Sequence, residues 1–389
     1  MNIAFFCIPA HGHTNPTLAV VRELTARGHT VRYYTTEAFR AKVEAAGAVF
    51  VPFDAEAARP GMTAADGARL GSDLAFSTRL IVDLTLASDD WLSRELTVHR
   101  PDVIVGDSMA FWAKLAAKKH GIPFVSSTTT FAFNRFSAKV IGQNGAGFLQ
   151  FLLAQPRINR QLKRLRAAGY AVKSVFDIIA NDNETETVVY TSPEFQPYAD
   201  TFSEKYHFVG SLLRPAQSSF EKLPGRYLIY ISLGTVNNDA LPFYRACLAA
   251  FGGDPRFQLV FSAGTQTDLA AFGPIPESCT VRASVDQMSV LDCADVFLTH
   301  CGMNSASEGL WHGLPLVLYP QTPEQHGVAN RVAALGAGVP LTDPSADGIR
   351  RAVEAALTDP AYRENAQKLA GGFRRCGGAA EAADAIEHA

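Results

Sequence analysis

The chain alternates short apolar runs with helical segments, and it does so twice along its 389 residues. Strand-length runs separated by segments long enough for a helix are typical of parallel sheets connected by helices. The predicted strands are residues 3–8, 31–35, 49–53, 103–107, 124–127 and 188–191 in the first half, and 227–232, 258–262, 280–283, 296–299, 316–319 and 339–341 in the second. The sequence therefore predicts an α/β fold with two doubly wound domains.

A segment of different composition separates the two series of strands. Residues 212–226, LLRPAQSSFEKLPGR, are rich in proline, serine and charge, as interdomain linkers often are. We therefore expect a first domain at 1–211, a second at 227–371, and a cleft where the linker joins them. The remaining residues, 372–389, are rich in alanine and predict a terminal helix.

Composition limits the classes of function. The chain has 47% hydrophobic residues, enough for two sizeable cores, and a formal charge of −3. This charge gives no support to broad nucleic-acid or membrane-surface binding, so any recognition of anions must be local. We expect a cytoplasmic protein with reduced, mostly buried thiols, because Met1 leads straight into a strand, no apolar run is long enough for a membrane span, and the six cysteines show no CxxC pairing.

One junction in the second half combines several groups suited to a phosphate. A predicted buried strand ends at residue 299. The residues that follow, where a helix should begin, are His300, Gly302, Asn304 and Ser305. Backbone N–H groups and the dipole of a helix start favour anions, glycine lets a phosphate approach the main chain, and the side chains can donate further hydrogen bonds. The junction predicts a diphosphate site.

Other polar residues extend this predicted site. Glu308 lies one turn further along the same helix face, where its carboxylate can accept hydrogen bonds from the two hydroxyls of a ribose. Glu324 and Gln325 follow the next strand end, where they can bind sugar hydroxyls. Ser232 and Gly234 follow the first strand of the second domain and are predicted to approach the diphosphate from the opposite side.

A second candidate site lies in the first domain, in the segment PAHGHTNP at residues 9–16. A helix is predicted to begin around Asn15, so His13 should lie in the preceding turn, at the rim where open α/β sheets bind ligands. Its imidazole can titrate near neutral pH and suits a general base. Asp107 closes another buried strand at the same rim, where it can orient His13 and stabilise its imidazolium. We interpret His11 as a neighbour that shapes the loop.

These motifs resemble those of the family 1 glycosyltransferases, most closely the bacterial macrolide-type branch that uses a UDP-sugar. The donor-site residues that carry the resemblance, in fixed order, are His300, Gly302, Asn304, Ser305, Glu308, Gly313, Pro315, Pro320 and Gln325. The resemblance implies that His300 and Ser305 hold the diphosphate and Glu308 the ribose. It also implies that Glu324 and Gln325 hold the transferred sugar.

The resemblance covers nearly the whole chain and implies a GT-B fold, in which two Rossmann-like domains face each other across a cleft. His13 and Asp107 match the family histidine that deprotonates the acceptor and the aspartate that supports it. Gln287 resembles a family glutamine at the nucleobase, although Ser284 and Asp286 replace the usual aromatic and proline. In related enzymes the last helix crosses back to the first domain, which is implied here for residues 372–389.

The activity implied is a single displacement that inverts the anomeric configuration. The acceptor oxygen loses its proton to His13 and attacks the anomeric carbon opposite the diphosphate. The resemblance of Gln325 favours glucose from UDP-glucose as the donor. No metal-ligand cluster stands near the donor motif, so we expect neither a metal nor another cofactor.

The expected partners are a nucleotide-sugar donor and a hydrophobic small-molecule acceptor such as a macrolide, a flavonoid or another phenol. The aromatic segments 131–140 and 147–155 either line an apolar acceptor cleft or pack inside the domain. We expect no nucleic-acid or membrane partner, and a monomer or weak homodimer.

Three other functions are compatible with parts of this pattern. A nucleotide-sugar epimerase or hydrolase could share the fold and the diphosphate site but would need no acceptor. A non-catalytic sugar-nucleotide-binding protein would have no need for His13 and Asp107 together. A nicotinamide-dependent oxidoreductase ranks last, because PAHGHTNP stands where a GxGxxG turn would be required.

Overall fold

A computed structural model describes residues 1–53, 73–134, 136, 145–181, 183–234 and 239–389, and for residues 145–152 the backbone alone. The chain divides into two compact units. One contains Met1–Thr191, Gln196–Leu212 and Gly377–Ala389, and the other contains Ser192–Phe195 and Leu213–Cys376. The chain therefore passes between the units at more places than the single linker that the sequence predicts.

Residues 213–226, most of the segment that the sequence predicts as a linker, fall within the second unit. Specific hydrogen bonds hold this segment there. The backbone N–H of Leu223 donates to the Gln258 side chain at 2.8 Å, and Lys222 pairs with Asp295 at 2.5 Å. The chain leaves the second unit after Cys376, later than the predicted boundary at residue 371.

The first unit is built on seven described strands, all parallel. They are β1 Asn2–Phe6, β2 Thr30–Thr35, β3 Val49–Pro52, β4 Val103–Asp107, β5 Phe124–Thr128, β6 Thr187–Val189 and β7 Tyr206–Phe208, in the order β3-β2-β1-β4-β5-β6-β7. The described α-helices are His11–Ala26, Arg40–Ala45, Leu74–His99, Phe111–His120, Gly145–Ala167, Phe176–Ile179 and Gly378–Glu387, with 3₁₀ turns at Glu37–Phe39 and Ala199–Thr201.

Helices cover both faces of this sheet, which explains why its strands are apolar without alternation. Phe5 and Phe6 point to opposite faces, and neither is exposed to solvent. Each stacks on a tyrosine of β2, with ring centroids 5.0 Å apart for Phe5 and Tyr33 and 4.2 Å apart for Phe6 and Tyr34. The centre of the sheet is therefore rigid on both sides, and its strand ends hold fixed positions.

The last helix, Gly378–Glu387, completes the core of the first unit. Its buried residues, which include Ile386, pack in the same cluster as Leu24 of the helix His11–Ala26. At the surface, Arg27 donates to the carboxylates of Asp384 at 2.6 Å and Glu387 at 2.9 Å. Residues remote in sequence therefore support the helix that carries His13.

The second unit contains six described parallel strands. They are β8 Tyr227–Ser232, β9 Phe257–Ser262, β10 Cys279–Arg282, β11 Val296–Thr299, β12 Leu316–Leu318 and β13 Gly338–Pro340, in the order β10-β9-β8-β11-β12-β13. Its described helices are Leu241–Phe251, Gln287–Leu291, Met303–Trp311, Pro323–Ala334, Ala346–Thr358 and Pro360–Arg375, with a 3₁₀ turn at Leu269–Phe272.

Each sheet reverses its strand order at one point. The chain builds outward from β1 to β3 and then returns to place β4 on the other side of β1; it does the same from β8 to β10 and back to β11. At such a reversal the connections leave the two central strands on opposite faces and open a crevice at their carboxyl ends. The fold therefore favours one ligand-binding crevice in each unit.

All twelve predicted strands are found, and β7 was missed. Its three residues, Tyr206–Phe208, include His207 and form no apolar run. All six cysteines are described and none forms a disulfide; four are buried. Among the helices of the described residues, none is both long and apolar enough to cross a membrane.

We expect Ile386→Ala to lower the free energy of unfolding of the first unit by about 2–4 kcal/mol, because it leaves a cavity in the core beneath the helix His11–Ala26. Chemical denaturation followed by circular dichroism measures the change. The matched control is Val98→Ala, since Val98 is 72% exposed on a helix of the same unit. Equal stability of the two variants would contradict the packing described for the last helix.

Candidate active site

His13 and Asp107 meet at the strand reversal of the first unit. Asp107 is the last residue of β4, and His13 follows the neighbouring strand β1. The Nδ1 atom of His13 lies 2.7 Å from Oδ2 of Asp107, whose side chain is fully buried while that of His13 is 19% exposed. The backbone N–H of Met109 donates to the other oxygen, Oδ1, at 2.9 Å. The aspartate is thus fixed at both oxygens and holds one edge of the imidazole.

The local structure around His13 differs from the prediction in one respect. The helix begins at His11, so His13 lies in its first turn and Pro16 lies inside the helix. The prediction began the helix around Asn15, four residues after the observed start. Pro16, which has no backbone N–H, is tolerated inside this helix beyond its first turn. Because the helix starts earlier than predicted, its regular backbone sets the orientation of His13.

Thr129 is a third member of this cluster that the sequence analysis missed. Its Oγ1 atom lies 3.0 Å from Nδ1 of His13, and the residue is 3% exposed. It directly follows β5, the strand next to β4. The run SSTTT at 126–130 offers several hydroxyl residues, and only the register of the sheet selects this one.

In the second unit His300 lies at the corresponding reversal, between β8 and β11. Its imidazole fits between two glycines: a Cβ atom on either Gly234 or Gly302 would lie 2.6 Å from Nε2 of His300. Gly234 also has a φ of +81°, which favours glycine. The glycines predicted to admit a phosphate therefore have a further role, which is to make room for the histidine.

Burial lowers the pKa of His300 to about 4, and the nearby backbone of Ser232 opposes this only in part. The imidazole is therefore neutral at physiological pH and can donate one hydrogen bond without carrying a charge. Ser232 ends β8 and is buried, so both predicted strand ends contribute to the same crevice.

The helix Met303–Trp311 begins directly after His300, as the phosphate-site prediction requires. Gly302 is its N-cap and provides no capping side chain, and no acidic residue lies in the first turn. Asn304 and Ser305 lie in that turn, each partly exposed. Positive potential at the helix start is thus not offset by a local carboxylate, which suits an anion.

Glu308 and Gln287, predicted at the ribose and the base, are in direct contact. The amide Nε2 of Gln287 donates to Oε2 of Glu308, and the amide oxygen accepts from the Tyr230 hydroxyl at 2.9 Å. Burial raises the pKa of Glu308, while the hydrogen bond from Gln287 and the charge of Arg214 lower it. The chain of hydrogen bonds fixes one oxygen of the carboxylate and leaves Oε1 for a ligand.

Gln325 has a structural role that the sequence analysis did not foresee. Thr322 caps the helix Pro323–Ala334, and the side-chain oxygen of Gln325 completes the capping box by accepting from the backbone N–H groups of Gln321 at 2.8 Å and Thr322 at 3.2 Å. The amide Nε2 of Gln325 is the group that remains to bind a sugar. Glu324, next to it, is exposed.

Some predicted features fall outside the described residues. These include residues 235–238, which follow Gly234, and much of the aromatic segments 131–140 and 147–155, so the apolar acceptor cleft stays a prediction. Within the described part of the chain no group of three or more His, Cys, Asp or Glu residues is arranged to hold a metal ion.

Comparisons with known proteins agree on one family. Residues 258–385 match the erythromycin biosynthesis protein CIII-like C-terminal domain. The chain is 33% identical to the NDP-glycosyltransferase YjiC of Bacillus licheniformis, with 99% of this chain and 97% of that protein covered. It is 32% identical to the demethyllactenocin mycarosyltransferase of Streptomyces fradiae, with 99% and 86% covered.

Solved structures give the same result for the fold. The crystal structure of the glycotransferase of kitacinnamycin superposes with a TM-score of 0.86 at 30% sequence identity, and the match covers 100% of this chain and 98% of that one. The two parallel-sheet units accordingly form a GT-B fold. The chain belongs to the bacterial macrolide-type branch of the family 1 glycosyltransferases and is an enzyme that transfers a sugar.

Proposed function

We propose that this enzyme transfers a hexose, glucose from UDP-glucose, to a hydroxyl group of a hydrophobic small molecule such as a macrolide, a flavonoid or another phenol. The transfer inverts the anomeric configuration and needs no metal ion. His13 is the general base, Asp107 supports it, and the groups around His300 bind the donor. The proposal places the reaction in the cytoplasm.

The observation that carries this proposal is the 2.7 Å contact between Nδ1 of His13 and the buried carboxylate of Asp107. A carboxylate can only accept, so it selects the tautomer with the proton on Nδ1 and a lone pair on Nε2. That lone pair can take the proton of an acceptor hydroxyl. The imidazolium that forms is stabilised by the adjacent negative charge.

The donor side supports the leaving group by other means. When the bond to the anomeric carbon breaks, negative charge grows on the diphosphate. A helix start without an acidic residue and the neutral His300 imidazole can both donate to that charge. These fixed dipoles supply the stabilisation that a divalent cation gives in other transferases, which is why the proposal includes no metal.

The acceptor and the sugar are inferred from the relatives and from Gln325. The relatives are named for macrolide-type products and for NDP-sugars, which favours a natural-product acceptor and a nucleotide-sugar donor. Glucose is favoured by the resemblance of Gln325 to the family residue that holds the transferred sugar, and the amide Nε2 of Gln325 can donate to a sugar hydroxyl. Attack by the acceptor oxygen opposite the diphosphate requires inversion in a single displacement.

We expect His13→Ala to lower the rate of transfer roughly 10²–10⁴-fold, because the acceptor hydroxyl loses its base. Mass spectrometry of products from UDP-glucose and a mixed panel of phenols and macrolides, with EDTA present, measures the transfer. The control is His11→Ala, because His11 lies on the surface, with its ring 5.0 Å from that of Phe39. If the wild type releases UDP but forms no glycosylated product, the enzyme is a hydrolase or an epimerase and the proposed transfer is contradicted.

Gly302→Ala tests the place of His300 in the donor site. The new Cβ would lie 2.6 Å from Nε2 of His300, while the φ of −59° at residue 302 suits alanine, so the histidine must move without backbone strain. We expect UDP to bind roughly tenfold to a hundredfold more weakly by calorimetry, since a hydrogen bond to a charged group is lost. Gly253→Ala, whose Cβ meets nothing within 4 Å, is the control. Unchanged affinity for UDP would show that His300 does not contact the diphosphate.

Thr129→Val should lower kcat about 3–10-fold without changing the acceptor KM, because the Nδ1–H group loses one of two acceptors. Loss of that acceptor also destabilises the imidazolium and so lowers the pKa of His13. The acidic limb of the kcat/KM profile should therefore move to lower pH, and Thr129→Ser should restore it. Thr187→Val, which removes a buried hydroxyl bonded to the carbonyl of Thr185 in the same sheet, should leave the profile in place.

A further inference from the structure

We propose that Arg214 belongs to the donor site, where its guanidinium lies on the nucleobase of a pyrimidine nucleotide. This inference rests on the proposed function, because it assumes that the crevice at β8 and β11 binds the donor. It adds a residue from the segment that the sequence analysis treats as a linker. All the groups involved belong to the second unit.

The first observation is how the segment around Arg214 is anchored. Oδ2 of Asp286 accepts hydrogen bonds from the backbone N–H of Gln217 at 2.6 Å, the backbone N–H of Ser218 at 2.9 Å and the Ser218 hydroxyl at 3.2 Å. Asp286 is the N-cap residue of the helix that begins with Gln287. These bonds attach the segment directly beside the residue that holds Glu308.

The second observation concerns the carboxyl groups on which the charge of Arg214 acts. Burial raises the pKa of Glu308, and the charge of Arg214 opposes this rise. For Asp286, hydrogen bonds from Gln217 and Ser218 together with the charge of Arg214 outweigh burial and lower the pKa. The pKa of His300, at the predicted phosphate end, is set instead by burial and by the backbone of Ser232. The bonds from residues 217 and 218 to Asp286 place this segment at the end of the crevice where Gln287 and Glu308 lie, and the charge of Arg214 acts on the carboxyl groups there. This is the nucleoside end of a bound donor.

The third observation is that Arg214 is left without a partner. It is exposed and makes no hydrogen bond or ion pair within the described part of the chain. One oxygen of each nearby carboxylate is already engaged, Oδ2 of Asp286 by backbone N–H groups and Oε2 of Glu308 by Gln287. The charge of Arg214 opposes the rise in the pKa of Glu308 that burial causes, while the plane and N–H groups of the guanidinium remain for a ligand.

A nucleobase fits these properties better than a phosphate does. A planar guanidinium can stack on an aromatic ring and donate to the carbonyl oxygens of a pyrimidine. The two residues before Asp286 are Ser284 and Val285, and neither has an aromatic ring that could stack on the base. The phosphates are proposed to lie with His300 and the start of the helix Met303–Trp311 instead.

Calorimetric titration with two ligands, UDP and inorganic pyrophosphate, tests the assignment. Arg214→Ala should weaken UDP about tenfold and change pyrophosphate affinity by less than about twofold, because only the base contact is lost. His300→Ala should weaken both ligands. The surface control is Arg160→Ala, an exposed arginine of the first unit, and thermal unfolding checks that each variant is folded.

Three results would overturn the inference. If Arg214→Ala binds UDP as wild type does, or weakens pyrophosphate as much as UDP, the arginine does not contact the base. Full recovery of UDP affinity in Arg214→Lys would have the same meaning, because an ammonium has no plane to stack. If the wild type itself does not bind UDP, the proposed UDP-sugar donor is wrong. This result differs from one in which the wild type and Arg214→Ala bind UDP equally well, which would contradict only the role of Arg214.

Discussion

The reversal of strand order in each sheet is the constraint on which the candidate sites depend. Where β1 meets β4 and β8 meets β11, helical connections leave on opposite faces and expose the carboxyl ends of both strands. Side chains from residues far apart in sequence, such as His13 and Asp107, are brought together there by the register of the sheet. The buried apolar strands hold these ends still, so a 2.7 Å contact can be maintained at a partly open surface.

The two crevices each contain a histidine, but in different surroundings. His13 has a buried carboxylate at Nδ1, which favours the protonated state that a base must reach. Burial lowers the pKa of His300 to about 4 and keeps it neutral, so it can donate a hydrogen bond to an anion, the role proposed for it, without gaining a proton at physiological pH. Burial and hydrogen bonding, rather than residue type, thus assign one histidine to proton transfer and the other to binding.

The sequence predicts twelve of the thirteen described strands, the two α/β units and most of the residues named at the crevices, because apolar runs mark buried parallel strands and polar residues at their ends mark the rim. It does not predict contacts that depend on register. Thr129 is one of several hydroxyl residues in its run, and Arg214 lies in a segment whose composition suggests a linker. The space that Gly302 leaves for His300 and the cap made by Gln325 also depend on side-chain directions, which no spacing rule supplies.

The residues proposed to bind the donor differ in how much a substitution would disturb their neighbours. The groups proposed for the nucleotide are fixed by burial, by glycines that contact His300, and by the hydrogen bonds joining Tyr230, Gln287 and Glu308. Substitution there displaces neighbouring groups as well. Glu324, proposed for the sugar, is exposed in the first turn of the helix Pro323–Ala334 and contributes no buried volume to the core. Sugar preference can therefore change at this helix while the nucleotide site and the fold remain the same.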